Sequence, residues 1–168
     1  GGCYFGNKNP GGYVRSEGSA VIILKRTNDA LRDGNNIYAL LRASSCNNDG
    51  QAGRHMLSPG TATQEILMNS ACKHAGINPS AIQYIEAHGT GTKAGDIAEI
   101  NAIWRSFGQN RNQKLYIGSV KSNIGHTEAV AGFAGLFKLL MALKYKTIPP
   151  DIHLYEKNPK INWEAMNI

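Results

Sequence analysis

Little in this sequence belongs to a disulfide-built, membrane-spanning or metal-built protein. Cysteine is scarce: three residues, an odd number, in a chain of 168. That argues against a disulfide framework and for a reducing, cytoplasmic setting. No stretch approaches the ~20 apolar residues that span a bilayer, and no secretory signal opens the chain. Basic residues are nowhere interleaved with aromatics, so the formal net charge of +6 does not point to nucleic acid. The spacings His-x-x-x-His and Cys-x-x-Cys are missing, which argues against a metal held by His88, His126, Asp96 and Glu128. A phosphate loop at Gly89 to Lys93 is argued against in the same way, because Lys followed by Ser or Thr after a second Gly is absent. Repeats and linkers are absent too, so residues 1–168 are expected to form one domain. An initiator Met is lacking and no terminal motif closes the chain, so a piece of a longer polypeptide, truncated at both ends, is expected.

What is present is ordinary globular composition, hydrophobic 42% and charged 18%, with glycine raised to 19 residues. The lysines and arginines gather mildly over Arg105 to Lys114 and Lys138 to Lys160, a rim suited to an acidic partner. The chain is organised around two histidine loops, Glu86-Ala-His-Gly-Thr-Gly-Thr92 and Val120-Lys-Ser-Asn-Ile-Gly-His-Thr-Glu128. Each follows an apolar run that predicts a buried strand, Ala81 to Ala87 and Leu115 to Val120. Each precedes a helical pattern, Ala94 to Phe107 and Glu128 to Tyr145. Successive strand–loop–helix units favour parallel pairing, which sets both loops at the carboxyl-end edge where open α/β sheets hold ligands.

The rest reads as scaffold. Tyr13 to Arg26, with its apolar run Ala20 to Leu24, and Ile37 to Ser45 predict two further strands, the first covered on both faces. A short helix from Thr27 to Gly34 lies between them, with an N-cap candidate and a glycine stop. Gln51 to Pro59 is a polar loop. Gly60 to Gly76 is helical, with Ile66, Leu67, Ser70 and Cys72 near one face. The Glu128 helix is apolar all round over Ala129 to Phe137 and predicts burial, with Lys138, Lys144 and Lys146 toward its end. Residues after Pro150 read as loop.

A lone histidine at a strand end is ordinarily structural. Two in matching positions of successive units make a pair of N–H donors suited to a thioester or carbonyl oxygen that gains negative charge. Lys121 and Glu128 flank His126 and are expected to pair, since a lysine beside an apolar helix start is costly alone. None of Cys3, Cys46 and Cys72 has the strand–turn–helix setting that activates a thiol, so none is assigned as a nucleophile.

The stretches His88-Gly-Thr-Gly-Thr92 with Gly95, Asp96 and Glu99, and Gly118-Ser-Val-Lys-Ser-Asn-Ile-Gly-His126 with Thr127 and Glu128, closely resemble the β-ketoacyl synthase domains of polyketide and type I fatty acid synthases. Tyr13 to Gly18, Asn47 to Gly50 and Ile148 to Pro150 extend the resemblance along the whole chain. It implies a thiolase-like α/β fold, layered αβαβα and dimeric, of which this chain covers the end of the first half and most of the second. It implies decarboxylative Claisen condensation of an acyl thioester with a malonyl-type extender. Phosphopantetheine on an acyl carrier protein is the substrate arm, and the domain binds no cofactor of its own. By motif, His88 and His126 would be the catalytic histidines, and Lys121 with Glu128 would orient and polarise the site. Thr90, Thr92 and Asn123 would meet the substrate arm.

Two departures stand out. The family's nucleophile motif, Thr-Ala-Cys-Ser-Ser-like, does not occur, so this chain alone is expected to be inactive. The pattern Gly-Thr-Gly-Thr-Pro-Leu-Gly-Asp-Pro reads Gly89-Thr-Gly-Thr-Lys-Ala-Gly-Asp-Ile97, with Lys93 and Ile97 in place of prolines. A non-elongating partner or binding domain without a nucleophile is the alternative.

Overall fold

The computed structural model describes residues 2–50, 59–109 and 111–168. Its centre is a parallel pair of short strands, β1 (Tyr84–Glu86) and β2 (Tyr116–Gly118), in the register Tyr84 to Tyr116, Ile85 to Ile117 and Glu86 to Gly118. The Ala87 N–H extends the pairing to the Gly118 carbonyl at 2.8 Å. The expected strands therefore exist in the expected orientation but are shorter. Ahead of β1, Pro79–Ala81 forms the short helical turn that Asn78 to Ala81 predicts, with proline at its start and the Asn78 side chain accepting from the Ser80 N–H at 3.0 Å.

Helix α1 covers Thr27–Arg32 and α2 covers Thr61–Ala75. Thr27 is the first helical residue of α1 rather than its cap; Arg26 holds that place without a side-chain cap bond. Helix α2 stops at Gly76, whose φ of 64° turns the Ile77 N–H back onto the Cys72 carbonyl, the left-handed ending that glycine favours. Helix α3 (Gly95–Ile103) runs on into a wide turn over Trp104–Gly108. Ile100 and Ile103 from α3, with Leu115 ahead of β2, have no exposure and form the heart of the core, joined by Phe5, Cys72, Ala87 and Phe107. Ile66 and Cys72, expected near one face of α2, part company: Ile66 is exposed, while Cys72 is buried.

The tail after Pro150 is more than loop. Helix α6 (Trp163–Met166) is one turn long, and Ile161, Met166 and Ile168 enter the core. The N-terminal loop lies against this tail: Asn7 bridges to Lys157, and the Asn158 N–H meets the Gly6 carbonyl at 2.9 Å.

Two expectations fail on packing. Residues 15–26 and 37–45 form no strand, and Val21, Ile23, Leu24, Tyr38, Leu40 and Leu41 are exposed. An apolar run states a need for burial, but a strand also needs a ladder partner, and among the described residues these segments have only the single bridge of Arg15 to His126. The Glu128 helix divides into a 3₁₀ turn (Glu128–Val130) and α5 (Ala131–Tyr145). Only Gly135 of α5 is fully buried, where it meets Glu86, while Phe137, Met141, Leu143 and Tyr145 face solvent. Its apolar circumference is thus covered on one side alone. The predicted loop over Gln51 to Pro59 lies almost wholly outside the described residues.

Candidate active site

Because β1 and β2 are parallel, His88 and His126 emerge at the same edge. Their rings stand 5.4 Å apart, centroid to centroid, at 84°. The two loops converge as their spacing predicts.

The first loop is held by buried carboxylates. Both oxygens of Glu99, on α3, accept main-chain N–H groups at the histidine, from His88 at 2.6 Å and Gly89 at 2.9 Å. Asp96, 2% exposed, accepts from Gly6 at 2.9 Å, Gly91 at 3.1 Å and Thr92 at 3.2 Å. Burial raises the pKa of each carboxyl, and these hydrogen bonds oppose the rise. Gly89 has φ 47°, and a Cβ there would lie 2.5 Å from that of Ser119, so only glycine lets the two loops come this close. Thr90 is buried, its hydroxyl 3.3 Å from that of Thr92.

The second loop is held by backbone. The His126 N–H donates to the Val14 carbonyl at 2.8 Å, and its carbonyl accepts from Ser16 at 2.9 Å, a parallel bridge centred on Arg15. The Tyr13 ring lies 5.2 Å from the imidazole. The His126 Nδ1 accepts the Glu128 main-chain N–H at 2.9 Å. A main-chain N–H can only donate, so Nδ1 is the acceptor and the proton of the neutral ring sits on Nε2. Glu128 reaches this geometry with φ 51°, a left-handed backbone uncommon outside glycine, Asn and Asp.

That backbone overturns the expected Lys121–Glu128 pair. It carries the Glu128 side chain outward, where its Oε1 meets the Arg15 Nε at 3.1 Å with both side chains exposed. Lys121 instead lies beneath the loops, 5% exposed, as the first residue of the short helix α4 (Lys121–Ile124). Burial lowers its pKa, and Glu99, Glu86 and Cys3 pull it back up. Burial likewise lowers the pKa of His88, helped by the neighbouring Lys121 and His126. Asn123 is exposed, and its amide oxygen accepts from Ser122 Oγ at 2.9 Å. Cys3 is 1% exposed, with its sulfur against the Val14 main chain, an unsuitable position for a nucleophile.

Glu99 and Asp96 were legible as motif residues but not as the supports of the first loop. The available signal was a carboxylate pair at i and i+3 within the apolar Ile97, Ile100, Ile103 face. Arg15 gave no signal beyond its place in the Tyr13 to Gly18 stretch.

An imidazole pair beside a buried lysine, at the carboxyl edge of parallel strands, is the centre of this α/β chain. The C-terminal domain of the beta-ketoacyl synthases matches residues 38–155, and the chain belongs to that family. Probable polyketide synthase 17 of Dictyostelium discoideum is 48% identical over 160 residues, covering 94% of this chain and 6% of that protein. The PKS-NRPS hybrid synthetase acdB of Aspergillus candidus is 46% identical over 156 residues, covering 91% of this chain and 6% of that protein. Among solved structures, the ketosynthase from module 1 of the bacillaene synthase of Bacillus amyloliquefaciens FZB42 superposes with a TM-score of 0.95 at 37% identity. All of this chain is matched there, against 32% of that one. The sequence thus spans a small share of its curated relatives and about a third of a solved ketosynthase. Among the described residues no helix is long and apolar enough to cross a membrane.

Proposed function

We propose that this chain is the histidine-bearing portion of a polyketide synthase ketosynthase, a single domain truncated at both ends and of thiolase-like αβαβα architecture, which joins acyl units by decarboxylative Claisen condensation. The observation that carries the reading is the His88–His126 ring pair, with the His126 Nδ1 already occupied by a main-chain N–H. His126 then presents Nε2–H as a donor, and a donor aimed at a developing oxyanion is among the strongest aids to acyl chemistry.

The geometry supports the following roles. A malonyl-type thioester, carried on the phosphopantetheine of an acyl carrier protein, loses CO₂ as its carbon–carboxylate bond breaks. The electron pair passes into a thioester enolate, whose oxygen takes hydrogen bonds from His126 and His88. The enolate carbon attacks an acyl thioester, forming the new carbon–carbon bond and expelling thiolate. That acyl group would sit on a cysteine supplied from outside these residues. Lys121 keeps the site positively biased for the departing carboxylate, and the lowered His88 pKa favours a neutral ring. Thr90 and Thr92 would hydrogen-bond the pantetheine arm, with Asn123 at its approach. The domain would work as a cytoplasmic homodimer, with no cofactor of its own.

In the ketosynthase polypeptide that contains this chain, His126→Ala should cut decarboxylation of malonyl thioester by about 10²- to 10³-fold, measured as release of CO₂. Near wild-type turnover would overturn the assignment.

A further inference from the structure

A second charged cluster lies behind the loops. Lys138, on α5, keeps only 9% of its side chain exposed, and its Nζ stands 3.0 Å from Glu86 Oε2 and 3.9 Å from Asp151 Oδ1, both carboxylates nearly closed to solvent. The Tyr84 hydroxyl donates to Glu86 Oε2 at 2.6 Å. Burial and Glu86 push the Tyr84 pKa up, so the phenol stays a donor. Among the described residues no acceptor is aligned for a regular hydrogen bond from the Lys138 Nζ, so its hold on the two carboxylates is Coulombic. A Cβ at Gly118 would lie 3.0 Å from the Tyr84 hydroxyl and 3.3 Å from the Lys138 Nζ, so glycine at the end of β2 admits the group.

One oxygen of each carboxylate also faces the chain that leaves β2. Glu86 Oε1 accepts the Val120 N–H at 2.5 Å, and Asp151 Oδ1 accepts the Ser119 N–H at 3.1 Å. Ser119, wholly buried, then links both loops. Its hydroxyl donates to the His88 carbonyl at 3.4 Å and accepts the Lys121 N–H at 3.3 Å. A continuous path therefore runs from Lys138 through Asp151 and Glu86 to Ser119 and Val120, and from there to His88 and Lys121. Lys138 is the cation that faces both carboxylates in this closed place, and a buried charge left without its partner is strongly disfavoured.

We infer that Lys138 is a positioning residue of the condensing site: by holding Glu86 and Asp151 against its ammonium it fixes the two carboxylates that clamp the Ser119–Val120 backbone, and so sets where Lys121 and His88 stand. The inference rests on the functional reading above.

The test uses the ketosynthase polypeptide that contains this chain. Lys138→Met is expected to lower kcat for condensation about 10- to 100-fold, the cost of small misplacements at a reacting centre. KM for the carrier-bound extender and the rate of cysteine acylation, which do not need the two loops in register, should stay within about twofold of wild type. Asp151→Asn is nearly isosteric, keeps the fold, and should lower kcat about 10-fold with the same split. Lys144→Met, an exposed lysine on the same helix, should leave all three quantities unchanged. A wild-type kcat in either Lys138→Met or Asp151→Asn overturns the inference. So does a loss shared equally by acylation and condensation, which marks a merely structural defect. An active His126→Ala would remove the functional reading itself, whereas an inactive His126→Ala beside a wild-type Lys138→Met removes only this inference.

Discussion

The two histidine loops meet at one place but are held there by different means. The His88 loop hangs on side-chain carboxylates: Glu99 and Asp96 between them accept five main-chain N–H groups, four of them in the loop itself. The His126 loop hangs on main chain: it is bridged to Val14 and Ser16 and closed by the N–H of Glu128. A loop held by buried charge answers to point substitution and to pH. One held by backbone answers mainly to changes in backbone conformation.

The largest effect that would break this contrast is expected at Glu99. Glu99→Ala strands the two N–H groups at His88 and Gly89, each a group whose loss of partner costs about 1–3 kcal/mol when buried. A destabilisation of about 2 kcal/mol should appear in denaturant melts, with condensation down about 100-fold through misplacement of His88. Wild-type behaviour would show that the first loop, too, is held by its backbone.

A middle-sized effect concerns acid. The folded His88 binds its proton less tightly than the ordinary value of 6.5 allows, so the unfolded chain takes up the proton first as pH falls. Its contribution to stability is present above 6.5 and is lost as pH drops from there through the lowered folded value. His88→Gln should remove that part of the acid sensitivity. The difference in Tm between wild type and variant should change across this window and level off above it. A difference independent of pH would mean that the folded protein does not lower the His88 pKa.

The smallest effect is expected at Arg15. Its ion pair with Glu128 is exposed on both sides, where water and salt screen it. Arg15→Ala leaves the bridge to His126 intact, because Val14 and Ser16 make it with main-chain atoms. The denaturant midpoint should stay close to that of wild type, with condensation close to wild type. A large loss would move the second loop into the same class as the first.

Sequence carried the two loops well. Apolar runs ending in Gly-Thr-Gly-Thr and in Gly-His are short-range signals, and parallel pairing follows from the helices between them. It carried long-range partners poorly. The segment from Ala20 to Leu24 announces its need for cover but not whether a neighbour is present, and here it lies open. Lys138 looked like one of several lysines gathered toward a helix end, since nothing local reveals that Glu86 and Asp151 close around it. The pairing of Lys121 with Glu128 was inferred from proximity in the chain, and one left-handed residue reversed it. Backbone sign at a non-glycine position is the kind of fact that a sequence does not display.

That left-handed residue has a further consequence. What position 128 gives the site is a main-chain N–H aimed at a ring nitrogen, and the carboxylate above it is free to do something else. The information is stored in a dihedral angle rather than in a functional group. The position can therefore drift chemically while the proton on His126 stays where it is, provided each newcomer accepts the same turn of the chain. Asn or Gly there would write the same instruction in another alphabet, whereas a β-branched residue would erase it without touching any catalytic atom.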